Sequence, residues 1–375
     1  MELITILSQP CLTKLLEQRQ TFGVTRLADL TRLDPIGLPV FSAIRPQAKH
    51  LSVALGKGQT AEQAKLSALM EAVESDCLEN PPKALLHGAY NALKDEHALV
   101  DPALFCQSAF LCNIHDQPLA WVLAERLHRK NTQALFVPQN VFDIDSSVER
   151  SDFSYFHISS NGMGGGETRY FAACHAMFEA IERHALTAWN ARLPKLQRQY
   201  ELDISTIDDP ALCHWINRCA SKGFQVRVWD IHCIAGVPSF YCTISSEGLG
   251  RQDCFSGSGA SFTRNHALMR SLTEAIQAKV AITSGSRDDI FPHYYQKGFQ
   301  AVQGGQAVSQ LGTLSFQSIE ETQGFSQDEA GFSELTTLLS KAGFDELIFM
   351  NRQLDALGIW VVSVLIPGFV FGSQR

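Results

Sequence analysis

The chain lacks a C-x-x-C pair, a G-x-S-x-G nucleophile elbow, an H-E-x-x-H pair and a D-x-D-x-D-G loop. Those absences remove the usual sequence grounds for a zinc enzyme, a serine hydrolase or a calcium hand. Its ten cysteines are scattered through 375 residues, so neither a disulfide framework nor a metal knuckle is indicated, and most read as small buried thiols. Cys106 and Cys112 share a five-residue gap with Cys213 and Cys219, wider than thiolate pairs on structural zinc usually show. Basic charge is also short: Lys+Arg 31 against Asp+Glu 39 gives a net charge of -8, with no field to draw in nucleic acid or an anionic membrane surface. No apolar run reaches the length of a membrane span, and the opening MELITILSQPCL has no basic stretch of the kind that begins a secretion signal. A cytoplasmic protein is expected. No low-complexity tract interrupts a composition that is 45% hydrophobic and 19% charged, which places the chain among globular proteins, as two average domains or one large one.

What is present is an internal repeat. With Gly58, Gly166 and Ser261 set as position zero, Thr60, Thr168 and Thr263 fall at the second position and Ala64, Ala172 and Ala267 at the sixth. The tenth position is small (Ala68, Ala176, Ser271), the thirteenth is Glu71, Glu179 and Glu274, and the fourteenth is Ala72, Ala180 and Ala275. The fifteenth is β-branched (Val73, Ile181, Ile276), and the sixteenth is Glu74, Glu182 and Gln277. Agreement in register across copies about a hundred residues apart predicts three equivalent helices rather than a solenoid. Each opens with a Thr suited to cap the first turn, and Gln63 completes a capping box with Thr60.

At about 100° per residue, the sixth, tenth and fourteenth positions form a narrow small-residue stripe that lets a neighbouring backbone approach closely. The acids at the thirteenth and sixteenth flank that stripe, joined by Ser67, His175 and Arg270 at the ninth. A lone E-x-x-E pair is most often a solvated helix edge. Recurrence beside a packed face makes partly buried carboxylates the better reading, and such groups need cations. Glu71, Glu74, Glu179 and Glu182 are oxygen ligands of the kind Mg²⁺ takes, and Mg²⁺ in turn suggests polyphosphate. Arg183 and Arg270 lie on or beside the same faces, as phosphate partners or as counter-ions to the neighbouring Glu. The glycine-rich stretches before the helices match neither the P-loop nor the dinucleotide fingerprint, and Lys57 of Gly-Lys-Gly reads either as part of a tight turn or as a phosphate ligand. Arg287-Asp288-Asp289 reads as an exposed turn after the third helix, with a substrate or nucleotide contact as the alternative.

Five ordered blocks carry a resemblance: GVTRLADLTRLDPIGLPVFSAIRP, LSVALGKGQTAEQAKLSALMEAVE, ISSNGMGGGETRYFAACHAMFEAIERHA, VWDIHCIAGVPSFYCTISS, and GSGASFTRNHALMRSLTEAIQAK with SRDD. Together they resemble the YcaO superfamily from about residue 23 to 368. The resemblance implies an enzyme that spends ATP to phosphorylate a peptide-backbone amide oxygen, which a nucleophile then replaces. Carried over by motif, Glu71, Glu74, Glu179 and Glu182 match the family's magnesium ligands, while Ser67, Asn161, Arg183, Arg270, Glu274 and Gln277 match positions lining its nucleotide site. Lys57 is retained as a secondary nucleotide contact. Three positions depart from the family pattern: Ser75 where an Arg commonly stands, Phe171 where a Glu often stands, and His184 in place of the usual Asp.

The expected fold is α+β, with three strand-helix units in pseudo-repeat around an ATP site and antiparallel sheet behind them. An N-terminal helical extension (1–22) precedes the catalytic domain (23–375). The chain ends VVSVLIPGFVFGSQR without the proline-rich tail that marks many azoline-forming members, which makes cyclodehydration the less expected activity. The compact form, the GVTRLADLTRLDPIG opening and the PG ending look like the branch that works with TfuA-type partners. The expected activity is therefore backbone thioamidation of a ribosomally made peptide or protein, with ATP and Mg²⁺ as cofactors and a TfuA-like sulfur-delivery partner. An azoline- or amidine-forming cyclodehydratase and a noncatalytic ATP-binding scaffold are the alternatives. Family members are commonly homodimers, which is the expected assembly.

Overall fold

The structure, a computed structural model, describes residues 9–106, 113–129, 131–147, 155–156, 159–248, 251–289 and 312–371. Residues 1–8 of the expected extension, Cys112 and the last four residues lie outside that range. Numbered along the chain, β1 (Arg26–Asp29), β2 (Val40–Ile44) and β3 (Val53–Lys57) form one sheet in that order. A second sheet holds β4 (Leu86–Ala89), β5 (Pro118–His128), β6 (Asn131–Pro138), β7 (Met163–Gly166), β13 (Glu346–Leu354) and β14 (Ile359–Leu365). Its order is β4-β5-β13-β14-β7, with β6 paired to β5. The third sheet runs β11 (Arg251–Ala260), β10 (Ser239–Gly248), β9 (Gln225–Asp230). Pairing within all three is antiparallel; the two-residue ladder of β8 (Leu202–Asp203) with β12 (Leu314–Ser315) is parallel.

Helix α1 (Gln9–Gln18) buries Cys11, Leu12 and Leu15 in the core shared by Leu66, Leu69 and Val73. The three long helices are α2 (Ala61–Glu79), α3 (Arg169–Asn190) and, after α4 (Pro210–Ser221), α5 (Arg264–Ser284); α6 (Glu329–Lys341) covers the outer side of α3. Each long helix follows directly from the edge strand of a different sheet: α2 from β3, α3 from β7, α5 from β11. The Thr60, Thr168 and Thr263 side chains each accept the N–H of the residue three further on, and Thr60 with Gln63 forms the complete box. A hydroxyl in that place satisfies one of the donors a helix start leaves open.

The small-residue stripe faces the glycine of its own edge strand. A Cβ on Gly56 would sit 2.2 Å from the Ala64 carbonyl oxygen and 2.0 Å from the Ala68 nitrogen; on Gly164, 2.5 Å from the Ala172 oxygen and 2.6 Å from the Ala176 nitrogen; on Gly259, 2.4 Å from the Ala267 oxygen and 2.7 Å from the Ser271 nitrogen. All three glycines lie two residues before position zero, a further repeat position that the sequence also displays.

Among the nine described cysteines, all free, Cys11, Cys77, Cys174, Cys219 and Cys242 are buried and Cys233 is exposed. No helix among the described residues is long and apolar enough to cross a membrane. Gly164→Ala is expected to lower the urea midpoint of unfolding by the equivalent of about 1–3 kcal/mol, the usual cost of an overpacked contact. An unchanged midpoint would show that α3 can move off β7 freely.

Candidate functional site

Edge strands leave N–H groups without a strand partner, and buried N–H groups must find one. Here the repeat acids supply it. Glu179 Oε2 accepts the Met163 N–H at 2.9 Å, and the Leu55 N–H faces Glu71 in the matching place of the first unit. The sixteenth position reaches onward to the strand of the following unit. Glu74 accepts from the Gly165 backbone, Glu182 Oε1 accepts the Ser258 hydroxyl at 2.7 Å, and Gln277 Oε1 accepts from Lys57 Nζ at 3.1 Å. The contacts thus run from the first unit to the second, the second to the third, and the third back to the first.

The arginines and the lysine sit inside this ring. Arg183 Nη1 lies 3.4 Å from Glu182, 3.7 Å from Glu274 and 3.4 Å from the Ser258 hydroxyl, and its Nε is 3.9 Å from Glu179. Arg270 lies 3.6 Å from Glu182 and donates to His175 Nε2 at 3.1 Å. Lys57 Nζ is 3.6 Å from Glu274. Arg287 pairs with Asp289 (Nε to Oδ1, 2.8 Å) and also faces Glu71, while Asp288 accepts the Ser52 N–H at 2.8 Å. The turn after α5 is therefore half-buried at its arginine and exposed at its two aspartates.

Charge is unevenly settled around the ring. Burial among its neighbours pushes Glu71 from an ordinary 4.5 up to about 7, against the pull of Lys57 and Arg287, although its side chain remains exposed to water. Glu74 rises to about 8 through burial and the nearby charges of Glu179 and Glu71, and Glu179 rises to about 7 through burial, opposed by Arg183. Glu182, only 1% exposed, behaves oppositely: burial works against its charge, but Arg183, Arg270 and the Ser258 hydroxyl hold it below the ordinary carboxylate range. Burial likewise works against the Arg183 charge, yet Glu182, Glu274 and Glu179 strengthen its hold on the proton. Burial and then Arg270 lower His175 to about 3, so the ring is neutral and its Nε2 accepts.

Of the predicted residues, the structure joins Glu71, Glu74, Glu179, Glu182, Arg183, Arg270, Glu274, Gln277 and Lys57. Ser67 stands half-buried one turn before Glu71 on α2. Asn161 precedes β7, its N–H on the Ser159 hydroxyl at 3.3 Å, and none of the described hydrogen bonds ties it to the acids. His175, noted at the ninth position beside Ser67 and Arg270, and Arg287, read as an exposed turn with a substrate or nucleotide contact as the alternative, also belong to the ring. Ser258 joins it without having been singled out and is placed only by the fold.

Residues 55–370 match the family described as YcaO cyclodehydratase, ATP- and Mg²⁺-binding. The chain belongs to the YcaO family. Members of that family bind ATP and Mg²⁺, which are its cofactors. This YcaO chain is 28% identical over 360 residues to an uncharacterized protein in the tfuA 3′ region of Rhizobium leguminosarum bv. trifolii, covering 92% of this chain and 84% of that one. It is 29% identical to an uncharacterized protein of Methanothermobacter thermautotrophicus, covering 92% and 89%. Among solved structures, a heterocyclase in complex with substrate and cofactor superposes with a TM-score of 0.75 at 17% identity, covering 99% of this chain but only 55% of that longer one. The Methanopyrus kandleri YcaO bound with AMPPCP and Mg²⁺ gives 0.66 at 19% identity, covering 96% and 91%.

The donor set fits such cofactors. Glu182 Oε2, Arg270 Nε and His175 Nδ1 are buried without a hydrogen-bond partner, and three carboxylates carry raised pKa values, as expected where partners for oxygen and for positive charge come from outside the chain. Among the described residues no three acidic, imidazole or thiol groups converge to cage an ion unaided. Mg²⁺ bound with polyphosphate usually takes one or two carboxylates and completes its shell with phosphate oxygens and water.

The three departures from the family pattern are absorbed locally. Ser75 donates to the Glu71 carbonyl at 2.8 Å, Phe171 packs over Gly166, and His184 stacks on Phe369 at 4.4 Å while Nδ1 accepts the Val370 N–H at 3.0 Å.

A carboxyl whose folded pKa is raised stabilises the fold fully below its unfolded pKa and loses that contribution as pH climbs through the folded value. Without divalent ions, Glu74→Gln should match the parent's stability near pH 4.5 and exceed it increasingly up to about pH 8. Paired urea melts across that range check the expectation; a stability difference that does not grow with pH would contradict the crowding at Glu74.

Proposed function

We propose that this protein is an ATP- and Mg²⁺-dependent enzyme that converts a peptide-backbone amide to a thioamide, acting with a TfuA-like sulfur-delivery partner. The observation that carries the proposal is the ring itself. Glu71, Glu74 and Glu179 are crowded carboxylates with raised pKa values, interleaved with arginines, in a chain similar to a protein from a tfuA 3′ region.

On this reading Glu71 with Glu74 and Glu179 with Glu182 would hold Mg²⁺, which when bound would supply positive charge beside the phosphoryl group being transferred. Arg183 and Arg270, already fixed against Glu182, turn guanidinium N–H groups toward phosphate oxygens without having to be ordered during the reaction. Lys57, Ser67, Asn161, Glu274 and Gln277 complete the nucleotide surroundings. The amide oxygen takes the γ-phosphoryl group and ADP leaves. Hydrosulfide then adds to the activated carbon, and the carbon–oxygen bond breaks with release of phosphate. Amide, ATP and hydrosulfide thereby give thioamide, ADP and hydrogen phosphate.

A second reading keeps the same activation but uses a substrate side chain as nucleophile. It is favoured by the fold shared with the heterocyclase and with the E. coli microcin synthetase McbBCD complex, whose TM-score is 0.65 at 14% identity over 92% of this chain. Product mass separates the two: exchange of oxygen for sulfur in a thioamide, loss of one water in an azoline. Incubation of the protein with ATP, Mg²⁺, sulfide, a TfuA-like protein and the candidate precursor peptide should yield ADP and the sulfur-for-oxygen mass gain. Water loss would replace the first reading by the second, and failure to consume ATP would remove both. Under the same conditions Glu182→Gln is expected to lower ADP formation by on the order of 100-fold, the scale for losing one preorganised charge-stabilising group.

A further inference from the structure

The third junction of the ring differs from the other two. In the first two units both the thirteenth and sixteenth positions are acids, whereas the third offers Glu274 and the neutral Gln277. Among the described residues, only there does a cation from the following unit's sheet edge enter. Lys57 occupies the place just before position zero, where the second and third units have Gly165 and Ala260. Its ammonium contacts both members of the third pair, Gln277 at 3.1 Å and Glu274 at 3.6 Å, and lies three-quarters buried between α5 and β3. Glu274 thus carries the one negative charge of this pair, and it meets two built-in positive charges, Lys57 and, at 3.7 Å, Arg183.

We propose that Lys57 is a tethered cation that holds, at the third junction, the place a divalent ion would otherwise take, and so confines metal binding to the carboxylate pairs of α2 and α3. The inference rests on the reading that Glu71, Glu74, Glu179 and Glu182 hold Mg²⁺. Its physical basis is charge balance. A second carboxylate at position 277 with no lysine would recreate the paired carboxylates found in the first two units, and hard divalent ions are the natural partners of such pairs. The lysine supplies a single charge that needs no loading and does not exchange, and with Arg183 it keeps the third corner from presenting net negative charge to the nucleotide.

The test counts ions rather than turnover. Mn²⁺ serves as probe, in the presence of AMPPCP, and bound ions per chain are read by electron paramagnetic resonance for the wild type, Q277E, and K57M combined with Q277E. The expected result is one more Mn²⁺ per chain in the double variant than in the wild type, and no gain in Q277E alone, where Lys57 pairs with the new carboxylate. If the double variant does not melt cooperatively, K57Q combined with Q277E replaces it, keeping a hydrogen-bonding group at position 57. Equal gain in Q277E alone, or no gain in a folded double variant while the wild type binds Mn²⁺, overturns the role given to Lys57. A wild type that binds no Mn²⁺ overturns the metal reading on which the proposal stands, so the two failures are told apart.

Discussion

Helix and edge strand meet in each of the three units with no room for a Cβ between them, and that contact sets the height of everything else. Because Gly56, Gly164 and Gly259 let α2, α3 and α5 settle onto strand backbone, the side chains three and six residues beyond the tenth-position small residue are carried to the level of the strand ends. There the thirteenth-position carboxylates of the first two units satisfy edge N–H groups that have no strand partner. A larger stripe would hold the helices off, and the carboxylates would be left in water as ordinary surface charge.

The same arrangement concentrates negative charge. Lys57, Arg183 and Arg270 offset part of it, but not evenly: Glu182 is held ionised while Glu71, Glu74 and Glu179 are pushed toward neutrality. Uncompensated charge of this kind is costly to a fold unless it serves binding, since apolar or amide side chains of similar size would avoid the strain. Mg²⁺ with a nucleotide is the partner that chemistry and family both supply. Packing holds Arg183 and Arg270 among these carboxylates before any ligand arrives, which is what electrostatic stabilisation of a transferring phosphoryl group requires.

The departures from the family pattern show that one site can absorb changes at its border. Ser75 turns back to its own helix, Phe171 fills space beside Gly166, and His184 binds the backbone of the segment near the C-terminal end through Val370. None of these residues breaks the circuit of contacts among the acids. That circuit depends on the thirteenth and sixteenth positions, which are intact in the first two helices.

The repeat register, the helix starts and the acidic candidates were legible in the residues, because helical period, Thr capping and small-residue spacing are local consequences of sequence. The strand glycines were equally on display, two residues before position zero, although their use is seen only against a helix. What the chain could not announce locally was which unit follows which around the ring. Ser258 reaching Glu182, Arg287 facing Glu71 and Lys57 closing onto Gln277 join residues 76 to 220 positions apart, through three separate sheets. Such distances are fixed by how the sheets pack, and so are the pKa shifts, since burial and neighbouring charge exist only once the three edges have come together.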